Sequence, residues 1–198
     1  MLFYTEDEAE KEQYNALIRH NNQLLINIID DVLDFSCMEA GDIELYSNWF
    51  DLSNLIQECM MENEESVPSD VKFLSRFPEH DYLVELDQMR IKQVLNHLVS
   101  NALKNTSKGH IEIAYEVIDR GVKISVSDTG RGIPQDKMDK IFERFEKIDA
   151  FVPGVGLGLT ICKSIVEKMG GHISAQTELG KGSTFKVELP CPVLSARQ

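Results

Sequence analysis

Asp128-Thr129-Gly130-Arg131-Gly132-Ile133-Pro134 sets a carboxylate against a stretch of nearly bare backbone. Just upstream, Val122, Ile124 and Val126 alternate with Lys123, Ser125 and Ser127, the period of a strand with one buried face. Asp128 continues the apolar parity, where a carboxylate is costly unless donors meet it. Two glycines and a proline then turn the chain sharply and let a ligand approach the backbone. The chemistry on offer is an acceptor aimed at a ligand's amino group. An ordinary strand-to-loop turn with Asp as its first residue fits the same letters.

Two further groups could act with it. His97, Asn101 and Lys104 fall at i, i+4 and i+7, one stripe of a helix. An amide oxygen beside an ammonium suits a hard cation and a phosphate, and a polar surface face suits the spacing equally. Gly154-Val155-Gly156-Leu157-Gly158-Leu159 opens an apolar helical pattern, and glycines at a helix N-terminus leave free N–H groups at the positive end of the dipole. It is neither a Walker loop, since no GK[ST] follows, nor a GxGxxG fingerprint, since no long strand precedes it.

The elements that must position these groups follow from periodicity. Asp87 caps a helix reaching about Asn105, with Ile91, Val94, Leu95, Leu98, Val99 and Ala102 as its buried stripe. Gly109 opens a strand in which Ile111, Ile113, Tyr115 and Val117 alternate, and Asp119-Arg120-Gly121 turns it antiparallel into the strand that ends at Asp128. Asp51-Leu52-Ser53 caps another helix carrying Leu52, Leu55, Ile56 and Cys59, after an extended connector at 43–50. Residues 71–77 and 82–85 are short strands around a Pro78-Glu79-His80-Asp81 turn, 138–145 are helical, and 146–153 form a loop. Gly170-Gly171 ends the helix that starts near Gly158. Residues 173–177 and 184–189 close the fold as strands, and 191–198 form a frayed tail.

Ahead of all this, residues 7–39 read as one long helix. Tyr14, Ile18, Asn21, Leu25, Ile28, Val32 and Phe35 step by alternating fours and threes, a bundle seam widened by Leu17, Leu24, Ile29 and Leu33. A four-helix arrangement and a homodimer through this helix are expected, with Asn21 either fixing register or merely tolerated. Gly41 supplies the stop.

Composition sets the outer bounds. With Lys+Arg 20 against Asp+Glu 33 the formal charge is -13, a field that repels nucleic-acid backbones. The acid-rich stretches 6–12 and 58–70 read as solvated faces. Mean hydropathy of -0.22 and the lack of a basic-then-apolar leader point to a cytoplasmic chain, tied to a membrane only through segments upstream of it. Cys37, Cys59, Cys162 and Cys191 have no metal or disulfide spacing.

Asn101 with Lys104, DTGRGIP, IFERF, GVGLGL and GKGSTF occur in one order, and that constellation resembles the ATP-binding catalytic domain of sensor histidine kinases, a fold shared with DNA gyrase B and a heat-shock chaperone. The match covers roughly 51–190, and Asp34-Phe35-Ser36-Cys37-Met38-Glu39-Ala40-Gly41 is similar to the end of the second helix of the kinases' dimerisation hairpin. The resemblance implies an α+β fold: a two-layer sandwich with a mixed, largely antiparallel sheet covered on one face by helices, preceded by a long helix. Residues 1–47 would belong to a truncated helical hairpin and its connector, 48–198 to the catalytic domain. It implies ATP and Mg²⁺ as cofactors, with Asn101 holding the metal and Lys104 contacting a phosphate. Asp128 would accept from the adenine amino group, with Gly130 and Gly132 shaping the purine pocket and Thr184 supporting the adenine side. Gly154, Gly156 and Gly158 would present backbone N–H groups to the phosphates, Lys147 and Leu157 would also bind the cofactor, and Phe142 and Phe145 would anchor the base of a lid. The implied reaction transfers the γ-phosphoryl to a histidine, for relay to the aspartate of a response-regulator receiver domain.

The chain departs from that pattern in places. His97 stands where these kinases generally have asparagine, and imidazole is a poorer Mg²⁺ ligand than an amide oxygen. Asn105 replaces an aromatic that stacks on adenine, a loss on the order of 1 kcal/mol. The lid between Phe145 and Gly154 is short. No His-Glu/Asp-x-x-x-Pro phosphoacceptor is present, and His20 lacks its neighbours. A gyrase-type ATPase would need a glutamate at position 97, and a non-catalytic docking module of the same fold remains the other alternative.

Overall fold

The computed structural model describes residues 8–40, 44–146 and 156–195. Helix α1 (Glu8–Ala40) is followed by β1 (Asn48–Asp51), α2 (Leu52–Asn63), β2 (Val71–Arg76), β3 (Tyr82–Leu86), α3 (Gln88–Asn105), β4 (Gly109–Ile118), β5 (Gly121–Asp128), α4 (Gly158–Lys168), β6 (His172–Glu178), β7 (Gly182–Pro190) and β8 (Val193–Ser195). The glycine stop expected at Gly41 lies outside the described residues.

The expected α+β sandwich is present. Its main sheet has the order β2-β4-β5-β7-β6, antiparallel throughout except for the parallel pair β2 and β4. α3 lies on β5, α4 lies on β6 and β7, and α2 packs beside α3. The helices bury one face because each carries a single apolar stripe: Leu52, Leu55, Ile56 and Cys59 on α2, Ile91 to Ala102 on α3, and Ile161, Cys162, Ile165 and Val166 on α4. The sheet answers with Ile111 and Ile113 of β4, Val122, Ile124 and Val126 of β5, and Phe185, Val187 and Leu189 of β7. A buried hydroxyl pair, Ser53 to Tyr115 at 2.9 Å, ties α2 to β4 inside this core.

Capping is as the sequence indicates. The Asp51 carboxylate accepts from the Asn54 N–H and the Asp87 carboxylate from the Arg90 N–H, each at 3.0 Å. At the far end of α4, Gly170 adopts φ 75° and its N–H donates to the Glu167 carbonyl.

Three expectations are corrected. Residues 138–145 are not an α-helix: a 3₁₀ segment spans Gln135–Lys140 and turns follow it. Met138, Ile141, Phe142 and Phe145 imitate helical spacing, but Phe145 sits at φ 61°, which ends any helix there. Within the expected tail at 191–198, Val193–Ser195 instead form β8, which pairs with β3 so that Val193 meets Val84, and 196–198 lie outside the described residues. With β1 it completes a second, three-stranded sheet ordered β1-β3-β8. Among the described residues of the expected connector, 44–47 lack regular structure, and β1 begins at Asn48.

On α1, Leu17, Ile18, Leu25, Ile29, Val32 and Leu33 are all exposed, so the expected apolar stripe faces outward along most of the helix. The Asn21 amide donates to the Leu17 carbonyl of its own helix at 2.9 Å.

Candidate functional site

Asp128 ends β5 on the helix-covered face and is 8% exposed. Its Oδ1 accepts from the Gly130 N–H at 2.8 Å, and the Ser183 N–H also bonds the carboxylate. Burial nevertheless dominates, raising the pKa above the ordinary carboxylate value, while these two N–H groups and the Thr106 hydroxyl pull it back.

Thr106, 2% exposed, directly follows α3. Its Oγ1 is close enough to favour the Asp128 charge, yet among the described residues it makes no hydrogen bond of full geometry. A buried hydroxyl left over beside a buried carboxylate calls for a further partner. A ligand edge with an amino donor next to a ring-nitrogen acceptor matches both.

The glycine-rich turn is fastened on three sides. The Arg131 N–H donates to the Asn105 carbonyl at the end of α3, and the Thr129 Oγ1 accepts from the His110 N–H of β4 at 2.9 Å. The Arg131 carbonyl accepts from the Gly180 N–H at 2.7 Å, and the Ile133 N–H donates to Thr177 Oγ1 at 2.8 Å. Gly130 is required by contact: a Cβ there would lie 2.2 Å from the Asn105 carbonyl oxygen and 2.9 Å from Asp128 Oδ1. Gly132, at φ 68°, packs against the Glu178 carbonyl, so its position holds the turn to the β6–β7 connection.

His97, Asn101 and Asn105 recur every fourth residue along α3, and Lys104 is exposed in its last turn. Asn101 Oδ1 is an amide oxygen, the donor type a hard cation takes. Across from this stripe stands the start of α4. Leu157 precedes it as N-cap without a side-chain cap, and its own side chain is buried at 1% exposure. Gly158 is the first helical residue, and a Cβ there would come within 3.2 Å of His97 Nδ1, so the imidazole lies at the mouth of the helix. The chain reaches this point through Gly156, at φ 78°, whose carbonyl accepts from the Phe145 N–H at 3.1 Å. Thr160 Oγ1 donates to the Phe142 and Glu143 carbonyls at 3.2 and 3.1 Å. A helix N-terminus without a side-chain cap, with an amide oxygen nearby, has the chemistry that suits a polyphosphate.

The sequence-based site is thus brought together for Asp128, Gly130, Asn101, Leu157 and Gly158, with Gly132 and Gly156 shaping the loops around it. Lys147 and Gly154 lie outside the described residues. Thr184 lies apart from these residues. On β7 it pairs with Ser127, its hydroxyl meets Ser127 Oγ at 3.0 Å, and both share the sheet face opposite Asp128. Ser183, 7% exposed, is the β7 residue directly across from Asp128. Phe142 packs partly buried against the core, whereas the Phe145 ring is 61% exposed and its N–H donates to the Gly156 carbonyl. Thr106 and Ser183 were missed. The parity of Phe185, Val187 and Leu189 could have found Ser183, whereas a lone threonine after a helix carries no signal.

Residues 86–193, more than half of the chain, match the sequence profile described as histidine kinase-, DNA gyrase B-, and HSP90-like ATPase. The sensor protein EvgS of Escherichia coli (strain K12) is 34% identical over 90% of this chain, which spans 16% of EvgS. The sensor histidine kinase WalK of Bacillus subtilis (strain 168) is 32% identical over 90% of this chain, which spans 30% of it. Full-length ShkA, solved in complex with AMPPNP, superposes with a TM-score of 0.83 at 30% identity, covering 98% of this chain and 42% of ShkA. The chain accordingly spans less than a third of the curated relatives named here. With its ordered motifs, its mixed sheet and its buried aspartate at the end of β5, the chain belongs to the histidine kinase-, DNA gyrase B-, and HSP90-like ATPase family and resembles the catalytic domains of sensor histidine kinases.

Proposed function

We infer that the chain binds Mg·ATP between the Asp128 turn and the start of α4, and presents the γ-phosphoryl to a histidine. The observation that carries this reading is the buried Asp128 carboxylate with the leftover Thr106 hydroxyl beside it, an acceptor and a donor placed for the adenine edge. The α4 N–H groups would meet the phosphates, and Asn101 would hold Mg²⁺, whose charge offsets that of the polyphosphate. His97 adds a softer donor beside that amide.

In the reaction proposed, an imidazole nitrogen attacks the γ-phosphorus, the N–P bond forms, and the bond to the β-γ bridging oxygen breaks with its electron pair leaving on ADP. Imidazole is already nucleophilic, so this domain contributes position and electrostatics rather than a base. The phosphoryl would then pass to an aspartate of a response regulator; the histidine kinase ThkA, at 30% identity and TM-score 0.72, has been solved in complex with the response regulator TrrA. Residues 1–47 would belong to a dimerisation hairpin and 48–198 to the catalytic domain, with the exposed apolar stripe of α1 as the homodimer seam. The cytoplasm is the proposed setting. No described helix is long and apolar enough to cross a membrane.

Titration with a fluorescent ATP analogue and incubation with γ-labelled ATP test this together. Saturable, magnesium-dependent binding is expected, without acid-labile label on the chain itself, since the sequence has no His-Glu/Asp-x-x-x-Pro acceptor. Absence of binding up to millimolar nucleotide would leave the non-catalytic docking module, for which His97 and Asn105 speak. Strong acid-labile label would place the acceptor within the chain.

A further inference from the structure

The purine-side turn and the amide proposed to hold the metal are joined by a chain of three side chains. Arg131 Nε donates to Asn105 Oδ1 at 2.8 Å. Asn105 Nδ2 donates to Asn101 Oδ1 at 3.1 Å and to the Asn101 carbonyl at 2.7 Å. The Arg131 N–H also donates to the Asn105 carbonyl, so residue 105 is gripped through both main chain and side chain.

A guanidinium can only donate, and a carboxamide has one accepting and one donating end. Arg131 therefore commits the Asn105 oxygen to the turn and its NH₂ to Asn101. That NH₂ in turn commits the Asn101 oxygen, using one lone pair and leaving the second for a cation. An aromatic side chain at 105 could not transmit this orientation. The polarised Asn105 amide also makes each bond of the relay stronger than it would be alone.

We propose that Asn105 is a positioning residue for the metal-binding amide of Asn101, held in register by Arg131, so that the purine turn and the cation site form one hydrogen-bonded unit. This rests on the Mg·ATP reading above. Partners of this kind, one shell out from a metal, change affinity by about 10- to 100-fold.

The test compares ATP affinity in EDTA with that in saturating magnesium, their ratio being the magnesium enhancement. Asn105→Leu removes both ends of the relay. Asn105→Asp keeps an acceptor for Arg131 and removes the donor to Asn101, and serves if the leucine variant folds poorly. In either variant the enhancement should fall by about 10-fold or more. Arg131→Met should lower it in the same direction, and the Asn105→Asp/Arg131→Met double variant should be no worse than Asn105→Asp alone, as members of one chain behave. An enhancement within twofold of wild type in the Asn105 variants overturns the proposal, including the case in which both affinities drop together, the mark of a helix-end bond and nothing more. A wild-type chain that binds no ATP in either buffer instead overturns the reading on which it rests.

Discussion

Replacing Asp128 by asparagine separates recognition from folding. In the free protein the carboxylate is buried and its pKa lies above the ordinary value. A carboxyl raised in this way contributes stability below the unfolded pKa, and that contribution is lost as pH rises through the folded one. The ionised group is therefore a burden on the empty fold, and Asp128→Asn should melt at or above the wild-type temperature. Recognition should suffer. The backbone donors at Gly130 and Ser183 will hold the asparagine oxygen, turning its NH₂ toward the ligand, where it meets the adenine amino group donor to donor. A hydrogen bond to a charged group contributes about 1.5–3 kcal/mol, so ATP affinity should fall roughly 10- to 150-fold. Inosine triphosphate carries an oxo group at the same ring position and should be accepted by the new NH₂. Calorimetric titration with both nucleotides decides the matter: the ATP-to-ITP affinity ratio should drop by more than about tenfold. An unchanged ratio in a folded variant would refute the reasoning and remove Asp128 from the base-recognition site.

Other consequences follow from the packing. Gly182 has φ 115°, and a Cβ there would lie 1.9 Å from the Asp128 carbonyl oxygen; Gly182→Ala should cost about 3 kcal/mol or more and lower Tm by roughly 6–12 °C in differential scanning calorimetry. Leu95 is 1% exposed on the α3 face that meets the sheet, and Leu95→Ala should lose about 2–5 kcal/mol in urea unfolding with an unchanged m-value. Burial pushes the Cys59 thiol up to about 12, and its Sγ donates to Asn96 Oδ1 at 2.9 Å. Its contribution to stability is intact below the unfolded thiol pKa and is lost progressively from there up to about pH 12. At pH 8 iodoacetamide should modify it about 10³-fold more slowly than in the unfolded chain, followed by peptide mass spectrometry.

Much of the site was legible because short-range rules govern it. The alternation of Val122, Ile124 and Val126 placed Asp128 on the buried face, and Asp87 marked where α3 begins. What escaped the sequence depends on distant partners. The three residues of β8 have no period of their own and become a strand because β3 offers an edge. The parallel pairing of β2 with β4 crosses β3 and α3, so adjacency in sequence misleads. Thr184 was assigned by its motif although the strand's parity puts Ser183 beside Asp128. Asn105, read as the loss of a stacking ring, acquires a role only through Arg131, 26 residues away. Thr106 became visible as a site residue only once its hydroxyl was found buried without a partner.

The central claim is that one pocket receives both the purine and the polyphosphate. Amide-resolved NMR of the ¹⁵N-labelled chain titrated with Mg·ATP tests it most directly. The account predicts saturable shifts concentrated at Thr106, Asp128, Gly130 and Ser183 on the purine side and at Leu157 and Gly158 on the phosphate side. Shifts confined to one of these groups, or lying elsewhere on the chain, would contradict it.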